Sequence, residues 1–265
     1  MNGMTGAPHD GRYGLRELLQ MIPDESPAIA LKEDQLNGYM FASGGTTGNP
    51  KYSHFSKSEF NLVTDLIAQN YRAQGLNPGM ITANLFAAGQ LWSSFLATDK
   101  ALEKCDTVQL PIGMNSDTHK TLEYLVRFKV EVLLGIPSFL LELARAAQNA
   151  GIEYQPKLIF YAGENLNQNA RAFLESVWAP EYIGTGGYAS VDAGMVAYHC
   201  RESKPGEHHV FSQHVKLEIE NEEGYVTSFY RTSQNVVHYP TGDRRNCLER
   251  SQSGGGTSPE RAADD

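Results

Sequence analysis

Apolar residues recur along this chain with two alternating periods, and the alternation sets out its elements. The runs GYMFA (38–42), ITANLFAA (81–88), DTVQLPIG (106–113), VEVLLGIP (130–137), KLIFYAG (157–163) and EYIGTGG (181–187) have the length and side chains of buried strands. Between them the period turns helical. HFSKSEFNLVTDLIAQNYRA (54–73) predicts a helix, and THKTLEYLVRF (118–128) sets Leu122, Leu125 and Val126 at i, i+3, i+4. SFLLELARAAQNAGI (138–152) repeats that stripe and stops on Gly151, a predicted C-cap, and a further amphipathic helix runs on to Glu175. Strand and helix in alternation predict an α/β fold of βα units around mostly parallel sheets. After Gly194 the texture changes. HHVFSQHVKLEIENEEGYVTSFYR (208–231) alternates apolar with polar residues, as antiparallel strands do, with a turn near Asn221–Gly224. The expected organisation is an N-terminal segment (1–37), an α/β core (38–198), a smaller β-rich subdomain (199–250) and a disordered tail (251–265), SQSGGGTSPERAADD, with little to bury.

Charge and cysteine content narrow the function classes. The formal net charge is −9 and no basic stripe interleaved with aromatics appears, so nucleic acid is not an expected partner. The opening MNGMTGAPHDG lacks an apolar signal core, and VEVLLGIPSFLL is short and interrupted by Glu131 and Pro137, so neither secretion nor a membrane span is expected. Cys105, Cys200 and Cys247 are odd in number and widely spaced, which suits a reducing cytoplasm better than a disulfide framework. His199, Cys200, His208, His209 and His214 lie close enough in sequence to suggest zinc. No second cysteine pair accompanies them, and the polar RESKPGEH reads as loop, so solvated histidines are the expectation and metal analysis is the test.

Candidate chemistry starts at SGGTTGNPK (43–51). Gly44, Gly45 and Gly48 let backbone N–H groups turn inward, Ser43, Thr46 and Thr47 add hydroxyls, and Lys51 adds a mobile cation, which together suit a phosphate. Strand, glycine loop and helix in that order is a phosphate-binding layout. Pro50 before Lys51, with no Ser or Thr directly after it, departs from the Walker pattern and excludes a P-loop NTPase. The order [ST]-[SG]-G-T-T-G-x-P-K instead resembles the signature loop of the adenylate-forming superfamily, in its phenylacetate-CoA ligase-like branch. Three further segments match in order: LIFYAGENLNQNARAFLE (158–175), GTGGYASVDAG (184–194) and HYPTGDR (238–244).

The resemblance implies an acid-thiol ligase that activates a carboxylic acid with ATP and Mg²⁺ to an acyl-adenylate, for transfer to CoA or a carrier-protein thiol. It implies nucleotide contacts from Ser43, Gly44, Gly45, Thr46, Thr47, Gly48 and Lys51, a base pocket at Ala162, Gly163 and Glu164 and at Tyr188, and a ribose contact from Asp243. Thr47, Lys51 and Asp192 would be catalytic, with Asp192 also the metal ligand. Here the sequence departs from the family: Asp192 is one methylene shorter than the usual glutamate, and Ala189 replaces a glycine. FAAGQLWSSF (86–95) resembles the acid-site segment, so Phe86 and Trp92, with Gly187 and Tyr188, are candidate substrate contacts; core packing is the other reading of both rings. The family's mobile C-terminal domain is not matched. The alternative to an active ligase is a catalytically impaired nucleotide-binding fragment or a split-enzyme subunit needing a separate C-terminal domain, and poor acyl-CoA synthesis by this chain alone is the expectation.

Overall fold

The computed structural model describes residues 37–43, 52–114, 116–204, 206–234, 236–248 and 261–264, with residues 242–248 and 261–264 described by their backbone. Five short strands form a parallel sheet: β3 (Ile81–Asn84), β4 (Val108–Pro111), β5 (Val132–Gly135), β6 (Leu158–Tyr161) and β7 (Tyr182–Thr185), in the order β4-β3-β5-β6-β7. All five stand where the apolar runs predict them. Their unbroken apolar character has a packing cause, since both faces are covered. On one face Leu133 and Ile159 meet α3 (Thr118–Arg127), α4 (Pro137–Ala150) and α5 (Gln168–Trp178) through Leu125, Leu140, Leu143 and Trp178. On the other, Val132, Leu134, Leu158 and Phe160 meet α1 (Lys57–Ala73) and α2 (Ser94–Lys104) through Tyr71 and Leu102. Gly151 ends α4 at φ 62°, the left-handed C-cap that glycine supplies without a Cβ clash.

A second, antiparallel sheet contains β8 (Tyr188–Ser190), β9 (Gly194–Tyr198), β10 (Glu207–Val210), β11 (Val215–Glu220), β12 (Glu223–Ser228), β13 (Tyr239–Leu248) and β14 (Arg261–Asp264), ordered β11-β12-β13-β14-β10-β9-β8. The β11–β12 hairpin turns on Asn221 and Glu222, whose φ values of 51° and 68° give the mirror-image two-residue turn that matches strand twist. Helix α1 closes this sheet as well. Phe60, Val63 and Leu66 face Met195, Val196, Val210 and Val226, while Ala68 and Tyr71 of the same helix face the parallel sheet.

Three expectations are corrected. The segment His54–Phe55 is strand, not helix: β1 (Tyr39–Ala42) pairs antiparallel with β2 (Tyr52–Phe55), and α1 starts only after Ser56. Ser56 Oγ accepts from the Glu59 amide while the Glu59 carboxylate accepts from the Ser56 amide, a capping box that fixes the start of the helix there. The glycine loop therefore joins two strands of a hairpin instead of leading into a helix N-terminus. Second, the antiparallel sheet begins at Tyr188, ahead of the expected division at 198. Third, four residues of the expected disordered tail, Arg261–Asp264, form a strand between β10 and β13, where two open edges offer backbone partners.

Candidate functional site

Two of the motif turns meet at the carboxyl ends of β6 and β7, the edge at which open α/β sheets bind ligands. The Gly186 amide donates to the Tyr161 carbonyl at 2.6 Å, and a Cβ on Gly186 would stand 2.8 Å from the Ala162 Cβ, so only glycine permits this approach. At Gly187, φ is 88° and a Cβ would fall 2.9 Å from the Ala197 carbonyl oxygen. Ala162 and Tyr188 are half-buried beside this junction, and Gly163 (φ 82°) and Glu164 are exposed. Glu164 has a definite task. Its carboxylate accepts from the Ser138 amide and hydroxyl, both at 2.8 Å, and so caps α4, whose own N-cap residue Ile136 has no side chain able to do it.

Behind the turn stand two buried amides that the sequence reading did not single out. Gln74 Nε2 donates to the Thr185 carbonyl at 2.8 Å and its Oε1 accepts from the Thr185 amide at 3.0 Å. Asn70 Nδ2 donates to the same carbonyl at 3.0 Å, and Asn70 Oδ1 accepts from the His199 amide at 2.9 Å. Both side chains are fully buried. They project from the last turns of α1 and fix the peptide from which Gly186, Gly187 and Tyr188 depart.

Asp192 lies in the turn between β8 and β9 and is 5% exposed. Its Oδ1 accepts from Ser53 Oγ on β2 and its Oδ2 from the Tyr239 hydroxyl at the start of β13. Arg231 Nε donates to its main-chain carbonyl at 2.9 Å. Arg231 is itself buried against Glu59, with Nη1 3.1 Å from the carboxylate and its guanidinium 3.5 Å from the centre of the Phe55 ring. Burial pushes the Glu59 carboxyl up, yet hydrogen bonds from the Ser233 side chain and amide, the Arg231 charge and the Ser56 amide outweigh it and hold the group below its ordinary value. Burial likewise lowers Arg231, against the pull of Glu59.

Asp192 does not fit Mg²⁺. That ion takes six oxygens in octahedral array and parts with its waters reluctantly, whereas this carboxylate is enclosed and both its oxygens carry hydroxyl donors. Among the described residues no group of three His, Cys, Asp or Glu could hold a metal.

The other expected residues fall as follows. Ser43 is half-buried at the end of β1, and the neighbouring Ala42 amide donates to the Leu91 carbonyl at 2.9 Å, tying the root of the glycine loop to the 86–93 segment. Gly44, Gly45, Thr46, Thr47, Gly48 and Lys51 lie outside the described residues. Asp243 is on β13, described by its backbone. Phe86 is packed in the core at 1% exposed, with Leu102 and Phe160, whereas Trp92 is 39% exposed and offers an open aromatic face. The expected solvated histidines are corrected: His199, His208 and His209 are buried, because β10 and the end of β9 carry them into the sheet. His209 Nε2 lies 3.4 Å from Cys200 Sγ and 3.2 Å from Ser203 Oγ, and its ring stacks on Tyr198.

Four motifs scattered over the sequence thus converge: the glycine-loop hairpin through Ser53, the 162–164 turn through Gly186, the 187–192 segment, and the strand of Thr241–Gly242–Asp243 through Tyr239. Comparisons with known proteins bear on what such a fold belongs to. No family model matches the chain. Phenylacetate-coenzyme A ligase of Thermus thermophilus is 23% identical over 217 residues, covering 76% of this chain and 48% of that protein. Indoleacetate–lysine synthetase of Pseudomonas savastanoi is 24% identical over 217 residues, covering 80% of this chain and 54% of that protein. The solved structure of 2-hydroxyisobutyryl-CoA ligase in complex with 2-HIB-AMP and CoA matches with a TM-score of 0.74 at 17% identity, over 88% of this chain and 52% of that one. The chain spans about half the length of these relatives. In sequence the chain is similar to phenylacetate-CoA ligases, and its α/β fold is that of the solved acyl-CoA ligase structures of the adenylate-forming superfamily. No helix among the described residues is long and apolar enough to cross a membrane.

Proposed function

We propose that this chain is the nucleotide-binding part of a phenylacetate-CoA ligase-like enzyme that activates an apolar carboxylic acid with ATP. The four motifs in one order along the chain, linked by the contacts of Gly186 with Tyr161 and of Asp192 with Ser53 and Tyr239, carry the reading. In the reaction the acid's carboxylate oxygen attacks the α-phosphorus of ATP, the bond to the bridging oxygen breaks and pyrophosphate leaves with its electron pair. The mixed anhydride so formed is then open to a thiol, with AMP as the leaving group. Electrostatics and positioning supply most of the rate in such a site. The loop from Ser43 to Lys51, Thr46 and Thr47 included, holds the phosphates, Ala162–Glu164 and Tyr188 flank the base, and Asp243 takes the ribose hydroxyls. The clamp of Gln74 and Asn70 on Thr185 keeps the Gly186–Tyr188 turn in place before any ligand arrives.

The acid pocket is assigned to Trp92, Gly187 and Tyr188. Two relatives are named for arylacetates, phenylacetate and indoleacetate, and the open face of Trp92 suits such a ring. The acceptor is CoA or a carrier-protein thiol, with a C-terminal domain, in this chain or supplied separately, completing the transfer site. Magnesium accompanies ATP in this reading, held by the phosphates and by ligands other than Asp192.

The test is ATP–pyrophosphate exchange over a panel of arylacetic, benzoic and fatty acids, alongside calorimetric ATP binding. Loss of the Thr46 and Thr47 hydroxyls, or Asp243→Asn, should weaken ATP by about 1 to 3 kcal/mol, the scale of hydrogen bonds to charged groups. Trp92→Ala should change the ranking of acids. Unaltered ATP affinity in both sets of variants would sink the proposal.

A further inference from the structure

We infer that Asp192, at the position where the superfamily places a metal-holding carboxylate, is a positioning residue in this protein: it braces the strand after the glycine loop against the strand bearing Thr241–Gly242–Asp243. The inference deepens the nucleotide-binding reading and rests on it for its effect on ATP.

Both carboxylate oxygens are committed. Gln234 Nε2 donates to Ser53 Oγ at 3.4 Å, so the Ser53 hydroxyl, having accepted there, directs its own proton to Asp192 Oδ1. Tyr239 Oη donates to Oδ2 at 2.5 Å. Burial first, and the Asp192 carboxylate second, hold the Tyr239 phenol far above its ordinary value, so it keeps this proton throughout the neutral range. The three residues belong to distant parts of the sequence, and Ser53 is fully buried while Asp192 is 5% exposed. The hydrogen bonds are therefore shielded from water, and a carboxylate left without them would be costly.

Chain length explains the commitment. A glutamate would carry its carboxylate one methylene further, past Ser53 and Tyr239. Aspartate stops at their hydroxyls. The setting also opposes a cation, because the buried Arg231 guanidinium donates to the main-chain carbonyl of this same residue at 2.9 Å. Tyr239 lies four positions before Asp243 on β13, and Ser53 two positions after Lys51, so the carboxylate sets the spacing of the two segments proposed to grip ribose and phosphate.

The experiment compares wild type, Asp192→Asn, Tyr239→Phe and the double variant by thermal unfolding and by calorimetric ATP titration with and without Mg²⁺. Asp192→Asn should lower Tm by about 4 to 8 °C, the loss of one buried charged hydrogen-bond set in a chain of this size. Tyr239→Phe should lower it in part, and the double variant should melt no lower than Asp192→Asn, because the two act through one interaction. ATP should bind roughly fivefold more weakly to Asp192→Asn well below its Tm. The ratio of ATP affinities with and without Mg²⁺ should stay within about twofold of the wild-type ratio, since no metal ligand has been lost. A collapse of that ratio by tenfold or more overturns the inference, as does strict additivity of the Tm losses. If Asp192→Asn does not fold, Tyr239→Phe decides alone: a lowered Tm and weaker ATP binding support the brace, and wild-type values overturn it. If the wild-type chain binds no ATP, the functional proposal fails and the stability cycle still decides the brace.

Discussion

Replacing Gln74 with alanine should loosen the turn that carries Gly186, Gly187 and Tyr188. The side chain is fully buried and makes four hydrogen bonds, two to the Thr185 peptide, one of 3.2 Å to the Asn70 carbonyl and one of 3.5 Å from the Tyr182 hydroxyl to its Oε1. After truncation the Thr185 carbonyl keeps Asn70 Nδ2, but the Thr185 amide has lost the acceptor that Gln74 Oε1 supplies, at a cost of about 1 to 3 kcal/mol. The space left by the missing amide adds roughly 1 kcal/mol more. A total near 3 kcal/mol corresponds to a fall in Tm of about 6 to 12 °C for a chain of this size. Urea unfolding monitored by fluorescence measures the loss, and Gln74→Glu is the informative companion. A carboxylate can still accept from Thr185 N–H, yet it faces the carbonyls of Thr185 and Asn70 with no proton to give, so this variant should be at least as unstable as Gln74→Ala. ATP affinity should fall in both. A Gln74→Ala midpoint within about 0.5 kcal/mol of wild type would mean that the Thr185 peptide is not held by this clamp.

Arg231→Met should cost about 3 to 5 kcal/mol, because it strands the buried Glu59 carboxylate, and adding Glu59→Gln should recover part of that loss; equal losses in the single and double variants, measured by denaturant unfolding, would contradict the pairing. Stability should also fall in two stages on acidification. Burial holds His54 and His199 below their ordinary value of 6.5, so the stability they contribute is present above that value and is lost as pH falls through their folded values. Glu59, held below its ordinary 4.5, adds a second loss at lower pH by the same sign. A Tm that stays flat between about pH 7 and pH 5 would refute the first stage.

The parallel sheet was legible because its strands are covered on both faces and therefore read as unbroken apolar runs. Strand β2 was not. In YSHF the polar Ser53 and His54 look like the lead-in to a helix, but both are buried, and Ser53 is held by Asp192 from 139 positions away. No local pattern announces such a partner. The same holds for Glu59, since nothing near it in sequence speaks of Arg231, 172 positions on. Helix α2 carries little apolar stripe, its buried positions being Ala97, Thr98, Ala101 and Leu102, so periodicity does not announce it. The motifs were legible as motifs, since each is a continuous stretch of glycines and polar residues. What they missed were the side chains that support those stretches from behind. Gln74 and Asn70 read as ordinary polar positions near the end of a helix until the fold places Thr185 against them.

Helix α1 has one further implication. It gives Phe60, Val63 and Leu66 to the antiparallel sheet and Ala68 and Tyr71 to the parallel one, with Tyr71 stacked 5.0 Å from Phe160. A helix that serves as the wall of both layers is a keyed joint between them, and the sheets cannot slide past one another without shearing close-packed side chains. The separation of the two layers is therefore set by the girth of this one helix.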